Sequence, residues 1–295
     1  MDQNITLPAL DQVLTVLAPS EQTVPVVFSS PHSGRDYTPD FIAAARLDAR
    51  ALRRSEDSFV DELFAAAPRH GAPLLAARFP RAFCDPNREP YELDPSMFTG
   101  RVPEGANTRS PRVAAGLGTI PKVVASGADI YAGRLPASEI ERRIGGYYRP
   151  YHHMLRRLLE ATQRRFGWAL LVDCHSMPSS GAPVDVGDGS VVGADVVLGD
   201  CFGAACAGPI VTVIEDAFRR RGYRVVRNSP YAGGYTTRHY GQPRQGCHAV
   251  QIELNRALYM NEADHTRTIG FAPLAEDLDG VVAAIADLTR RQAFP

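Results

Sequence analysis

The sequence predicts an α/β protein: one domain over residues 1–295, with a mixed, mostly parallel sheet flanked by helices. Three observations carry this. Apolar, β-rich runs alternate with longer helical patterns, which is the signature of βαβ units. The runs are nearly continuous in apolar residues, as strands covered on both faces are. Finally, three runs lead into residues that carry chemistry. Val24-Pro-Val-Val-Phe-Ser-Ser30 ends in Pro31-His32-Ser33-Gly34, Leu170-Leu-Val-Asp-Cys-His175 delivers a histidine, and His248-Ala-Val-Gln-Ile-Glu253 delivers a glutamate. In open α/β sheets, ligands bind beyond the carboxyl ends of the strands.

In chain order the expected strands are Val24–Ser30, Pro73–Phe79, Ala169–Cys174, Asp195–Gly199, Tyr223–Arg227 and Cys247–Leu254. Helices are expected over Asp48–Ala67, Ser138–Phe166, Pro209–Arg221 and Ala272–Arg291. Ser138 and Glu141 have capping-box spacing at the start of the long helix. Pro150 inside it predicts a kink or a break. Three stretches read as long loops: Arg81–Gly118, Ser176–Ala194 and Asn228–Gly246. Loops of this length in a compact domain are often binding loops. None has a linker's composition, and there is no internal repeat.

Composition narrows the function classes. Apolar residues make up 44%, charged residues 22%, and net charge is −1. A nucleic-acid binder should show a basic stripe, and none occurs. No apolar segment approaches the roughly 18 residues that span a bilayer. The start, Met1-Asp-Gln-Asn-Ile5, lacks the basic and apolar regions of a signal peptide, so the expected location is cytoplasmic. Five cysteines at scattered spacings do not make a disulfide framework or a zinc ribbon. Cys174 reads as a small buried hydrophobe. No phosphate loop and no G-x-S-x-G elbow occurs.

His32 and His175, each at a strand end, suggest a metal-assisted site. Catalytic zinc commonly uses three protein ligands, such as two histidines and a carboxylate. The carboxylate is expected from Ser55-Glu56-Asp57-Ser58, where either Glu56 or Asp57 suits; acids at a helix start also simply favour its dipole. Glu253, at the end of an apolar strand, is expected to serve as general base, because burial moves a carboxyl toward neutrality. The arginine-dense stretch Arg78–Arg88 offers Arg78, Arg81 and Arg88 for bidentate recognition of an anionic substrate. Arg238 offers another guanidinium beside a glycine-rich loop. His239 reads as a loop histidine, and His152-His153 as a solvated pair on a helix.

Six motifs in order resemble the N-formylglutamate amidohydrolase family over most of the chain. They are Pro31-His-Ser-Gly34, Ser55-Glu-Asp-Ser58, Arg81-Ala-Phe-Cys-Asp-Pro-Asn-Arg88, Asp173-Cys-His-Ser176, Gly233-Gly-Tyr-Thr-Thr-Arg-His-Tyr-Gly241 and His248-Ala-Val-Gln-Ile-Glu253. The resemblance implies a zinc-carboxypeptidase-like fold with Zn2+, or another divalent metal, at the strand ends. It implies hydrolysis of N-formyl-L-glutamate to L-glutamate and formate, a late step of histidine degradation. Matched position by position, His32, Asp57 and His175 are the metal ligands and Glu253 the base. Asn87-Arg88 is similar to the carboxylate-binding pair of the carboxypeptidases. The expected partner is therefore a small anionic N-acyl amino acid, with neither nucleic acid nor membrane involved. Competing expectations are a carboxypeptidase-like hydrolase of peptides or cell-wall fragments, and a non-catalytic anion sensor.

Overall fold

Seven strands form one sheet: β1 (Leu14–Leu17), β2 (Val26–Ser30), β3 (Leu74–Ala77), β4 (Ala169–Met177), β5 (Val196–Gly199), β6 (Val225–Arg227) and β7 (Cys247–Asn255). This computed structural model describes residues 8–181, 183–185 and 191–294. The chain start, Met1–Ile5, and part of the expected loop Ser176–Ala194 lie outside the described residues. Strand order is β1-β3-β2-β4-β7-β5-β6. The β2–β4, β4–β7 and β5–β6 pairs are parallel, and the β7–β5 pair is antiparallel. The sheet is thus mixed and mostly parallel, as the apolar runs predict. All six expected strands form. The exception is β1, which was not expected; it is short and mostly exposed, so it carries no continuous apolar run.

The main helices are α1 (Val60–Leu63), α2 (Ser138–Arg143), α3 (Arg149–Phe166), α4 (Gly208–Arg219), α5 (Tyr235–Tyr240) and α6 (Phe271–Arg291). Three expectations need correction. The helix expected over Asp48–Ala67 is broken into Ala49–Leu52, a 3-10 turn at Arg53–Ser55 and α1, with Glu56-Asp57-Ser58 in the gap. The Ser138–Glu141 capping box is not made: Ala137 is the cap, and Glu141 accepts from the Tyr91 hydroxyl at 2.8 Å. Before Pro150 the α pattern is interrupted by a π turn over Ile144–Tyr148, and the Arg149 N–H donates to the Ile144 carbonyl. Lastly, the loop expected over Asn228–Gly246 contains α5.

The chain divides into two compact units. One comprises Pro31–Glu56, Ala76–Met154 and the described residues up to Thr15. The other comprises Val16–Ser30, Asp57–Leu75 and the described residues from Leu155 onward. In the first unit, Arg143 is 1% exposed and packs over the Phe83 ring, 4.2 Å from its centroid. Burying a guanidinium is costly unless its donors are met. Here Nε donates to Glu139 Oε2 at 2.8 Å and Nη1 to the Phe83 carbonyl at 3.0 Å. The Tyr148 hydroxyl donates to the Arg88 carbonyl, and His152 Nε2 to the Pro86 carbonyl, both at 2.8 Å. The α2–α3 stretch therefore fixes the chain from Phe83 to Arg88. His152 is buried in this role rather than solvated, while His153 is exposed as expected.

The second unit holds the main core. Val26 and Phe28 of β2, Leu170 and Val172 of β4, and Val250 and Ile252 of β7 pack with Ile210, Ile214 and Phe218 of α4 and Leu278, Val281 and Ile285 of α6. Each fully buried side chain of this size contributes about 1.5–3 kcal/mol of transfer free energy. Such a core gives the strands a rigid register, and the site is built on that register.

Candidate active site

His32 follows β2 in the turn Pro31-His-Ser-Gly34. Gly34 allows the turn, because a Cβ there would lie 2.1 Å from the Phe79 carbonyl oxygen. The His32 ring is buried, and its Nε2 lies 2.7 Å from Asp85 Oδ1. Asp85 also accepts from Arg81 Nη2 at 2.8 Å and from the Asn87 N–H at 2.9 Å, with Arg88 Nη2 at 3.6 Å. Burial alone would raise the Asp85 carboxyl, but Arg81, Arg88 and His32 hold it well below the ordinary range. An ionised Asp85 can only accept, so His32 donates to it from Nε2. A carboxylate behind a histidine is the usual way a metal-binding ring is oriented.

In the second unit, Asp57 sits in the helix break. The next-but-one residue, Phe59, adopts a left-handed φ of 66° and starts α1. Asp57 Oδ1 accepts from Arg256 Nη2 at 2.9 Å, and Oδ2 lies 3.1 Å from His175 Nδ1. His175 Nε2 faces Asp173 Oδ2 at 3.0 Å, and the other Asp173 oxygen accepts from Ser29 Oγ at 2.7 Å. Burial disfavours a charged His175, yet Asp173, the hydrogen bonds to Asp173 and Asp57, and the charge of Glu253 raise its pKa well above the ordinary value. The surroundings of this ring favour a positive charge. Glu253 is the register partner of His175 on the neighbouring parallel strand, so both side chains leave one face of the sheet. Its Oε1 accepts from Gln251 Nε2 at 2.6 Å.

His32, Asp57 and His175 are all buried, and one ligand atom from each lies within 4.8 Å of the other two. Two imidazoles and one carboxylate are the donor set that zinc and similar divalent ions take in hydrolases. The cation-favouring surroundings of His175 and the Asp85 support of His32 fit that use. Glu56 does not compete as the acidic ligand. Its carboxylate is taken by Arg53, at 2.9 and 3.0 Å, and by the Tyr37 hydroxyl at 3.2 Å.

The arginine expectations resolve unevenly. Arg88 is buried; its Nε donates to the Leu117 carbonyl at 2.9 Å and its Nη1 to the Asn87 carbonyl at 3.0 Å. Burial pulls its pKa down to about 10, against the pull of Asp85, which leaves it charged at neutral pH. Asn87 is buried beside it, and Arg81 is half-buried on Asp85. Arg78 is remote in role, pairing with Asp36 on the surface. Arg238 and His239 are exposed on α5. Cys174 is fully buried, and burial pushes its thiol well above the ordinary range, as an inert core residue requires. Sequence reasoning missed Asp85, Asp173, Gln251 and Arg256. Two of these carried a signal: Asp173 and Gln251 each stand two residues before a site residue, on the same strand face.

Comparison with known proteins gives one family. The sequence matches N-formylglutamate amidohydrolase over residues 24–260. It is 34% identical to the N-formylglutamate deformylase of Pseudomonas aeruginosa over 86% of this chain and 87% of that one. It is 31% identical to the Pseudomonas putida N-formylglutamate deformylase over 84% and 86%. The crystal structure of N-formylglutamate amidohydrolase from Ralstonia eutropha JMP134 superposes with a TM-score of 0.88 at 37% identity, covering 95% of this chain and 99% of that one. With six motifs in family order and this match over most of its length, the chain belongs to the N-formylglutamate amidohydrolase family.

Proposed function

We propose that the protein is a metal-dependent amidohydrolase that cleaves N-formyl-L-glutamate to L-glutamate and formate. In this reading it closes histidine degradation in the cytoplasm. The observation that carries the reading is the convergence of His32, Asp57 and His175 in a member of this family, with Glu253 in register beside His175. His32, Asp57 and His175 would hold the ion, zinc by the donor set. When bound, it supplies a Lewis acid for the formyl carbonyl and lowers the pKa of the attacking water.

The chain's own residues do the rest. Glu253 takes the proton of the attacking water and returns it to the departing amine nitrogen, so one group serves as base and then acid. Asp85 and Asp173 hold the two imidazoles in their working orientation. Arg88, with Asn87, binds a substrate carboxylate through its guanidinium, and Arg81 supports that positive patch through Asp85. Arg238 completes the set in this reading as an outer anion contact.

Substrate profiling tests the proposal. Formyl, acetyl, succinyl and carbamoyl derivatives of Glu, Asp and Gln are assayed with zinc and after chelation. N-formyl-L-glutamate should give the highest kcat/KM, and chelation should abolish turnover until metal is restored. Full activity in the chelated protein, or faster cleavage of a neutral derivative, would overturn it.

A further inference from the structure

Gln251 lies in β7 two residues before Glu253, so their side chains leave the same face of the strand. It is buried, and its amide is engaged at both ends. The Gly234 N–H donates to Gln251 Oε1 at 2.6 Å, and Thr237 Oγ1 donates to the same atom at 3.4 Å. At the other end Gln251 Nε2 donates to Glu253 Oε1 at 2.6 Å. A backbone N–H can only donate, so the amide atom facing Gly234 must be the oxygen. The amide therefore has one possible orientation, and its N–H is committed to the Glu253 carboxylate.

A second feature is built around this contact. The antiparallel register partner of Gln251 is Gly199 on β5. A Cβ on Gly199 would lie 2.7 Å from both the Ala232 carbonyl carbon and the Gly233 nitrogen. The bare glycine lets the backbone of 232–234 descend onto Gln251. The main-chain bonds of the sheet do not require a glutamine here. An apolar residue would strand both the Gly234 N–H and one side of Glu253. A donor fixed on one carboxylate oxygen fixes the plane of the group.

Resting on the reading of Glu253 as base, we infer that Gln251 is its positioning residue, holding the carboxylate as a proton acceptor and tying it to the backbone at Gly234. The test is a double-mutant cycle on the metal-loaded full chain. Gln251→Met removes the donor at nearly constant volume. It should lower kcat by about 10-fold or more while KM stays within about 2-fold, since it frees the plane of the carboxylate without removing a substrate contact. In a Glu253→Gln background the same change should cost nothing further, because residues acting as one unit are not additive. Gln251→Glu keeps an acceptor for Gly234 but sets a second buried carboxyl against Glu253, which displaces the base by repulsion, so it should lower kcat as well, with KM again within about 2-fold. Equal losses in both backgrounds would show a merely structural role and overturn the inference. So would wild-type kcat in both Gln251 variants. Full activity of Glu253→Gln alone would overturn the base reading and this inference with it, a result distinct from either of the others.

Discussion

The proposed role of Arg88 rests on its being held by backbone. Its Nε and Nη1 are spent on the Leu117 and Asn87 carbonyls, which fixes the plane of the fork. A lysine has neither the plane nor the second donor, so Arg88→Lys should damage turnover of N-formyl-glutamate nearly as much as Arg88→Ala. The loss expected for breaking a buried charge contact is about 2–5 kcal/mol in kcat/KM. A neutral analogue lacking the carboxylate should lose less, and steady-state kinetics on both substrates decides it. Equal losses would show that Arg88 serves the fold. At this scale the sequence was legible where chemistry follows an apolar run: His32, His175 and Glu253 stand out as candidates by position alone. Asp85 and Arg256 could not. Their partners, His32 and Asp57, lie far along the chain, and nothing local distinguishes them from surface charges.

Among elements, strands were legible and the broken helix was not. A continuous apolar run is a local property, so β2, β4 and β7 were visible. The gap at Glu56-Asp57-Ser58 is set by Tyr37, Arg256 and His175, which lie outside the helical pattern, with Arg53 inside it as a fourth partner. The edge strand β1 is too exposed to be patterned, and α5 is hidden behind glycines. The turn after β2 makes a sharper statement. An alanine at Gly34 would press its Cβ against backbone at Phe79 and Arg78, which cannot swing aside as a side-chain tip would. Gly34→Ala should cost about 1–3 kcal/mol of stability by overpacking. It should also weaken metal retention, because His32 is carried on the same turn. Denaturation midpoints and bound-metal content measure the two effects. A variant with both unchanged would show that the turn can shift freely.

At the scale of the whole molecule, the chain's end is tied to the sheet by a histidine. His248 Nε2 donates to the Phe294 carbonyl at 2.9 Å, while Nδ1 accepts from the Ala207 N–H at 3.2 Å. Burial holds its pKa below the ordinary value, with the Phe294 bond pulling the other way. The folded state thus prefers the neutral ring. Its contribution is fully present above the unfolded value of about 6.5 and is lost as pH falls from there toward the depressed folded value. Glutamine supplies a donor and an acceptor but does not titrate. The melting temperature of the wild type should therefore fall relative to His248→Gln between about pH 7 and pH 5. Parallel curves would sink this account. Among the described residues, no helix is long and apolar enough to cross a membrane. The spacing of Glu253 from His175 is written in the pairing of β4 with β7, whereas Arg81, Asn87 and Arg88 stand on a stretch before β4 that no strand of the sheet interrupts. On the roles proposed for these residues, bond-breaking and selectivity are inherited on separate segments. Grafting residues 86–117 from a relative with a different appetite, with Asp85 and its support of His32 kept, should retarget the enzyme while its reaction survives the exchange.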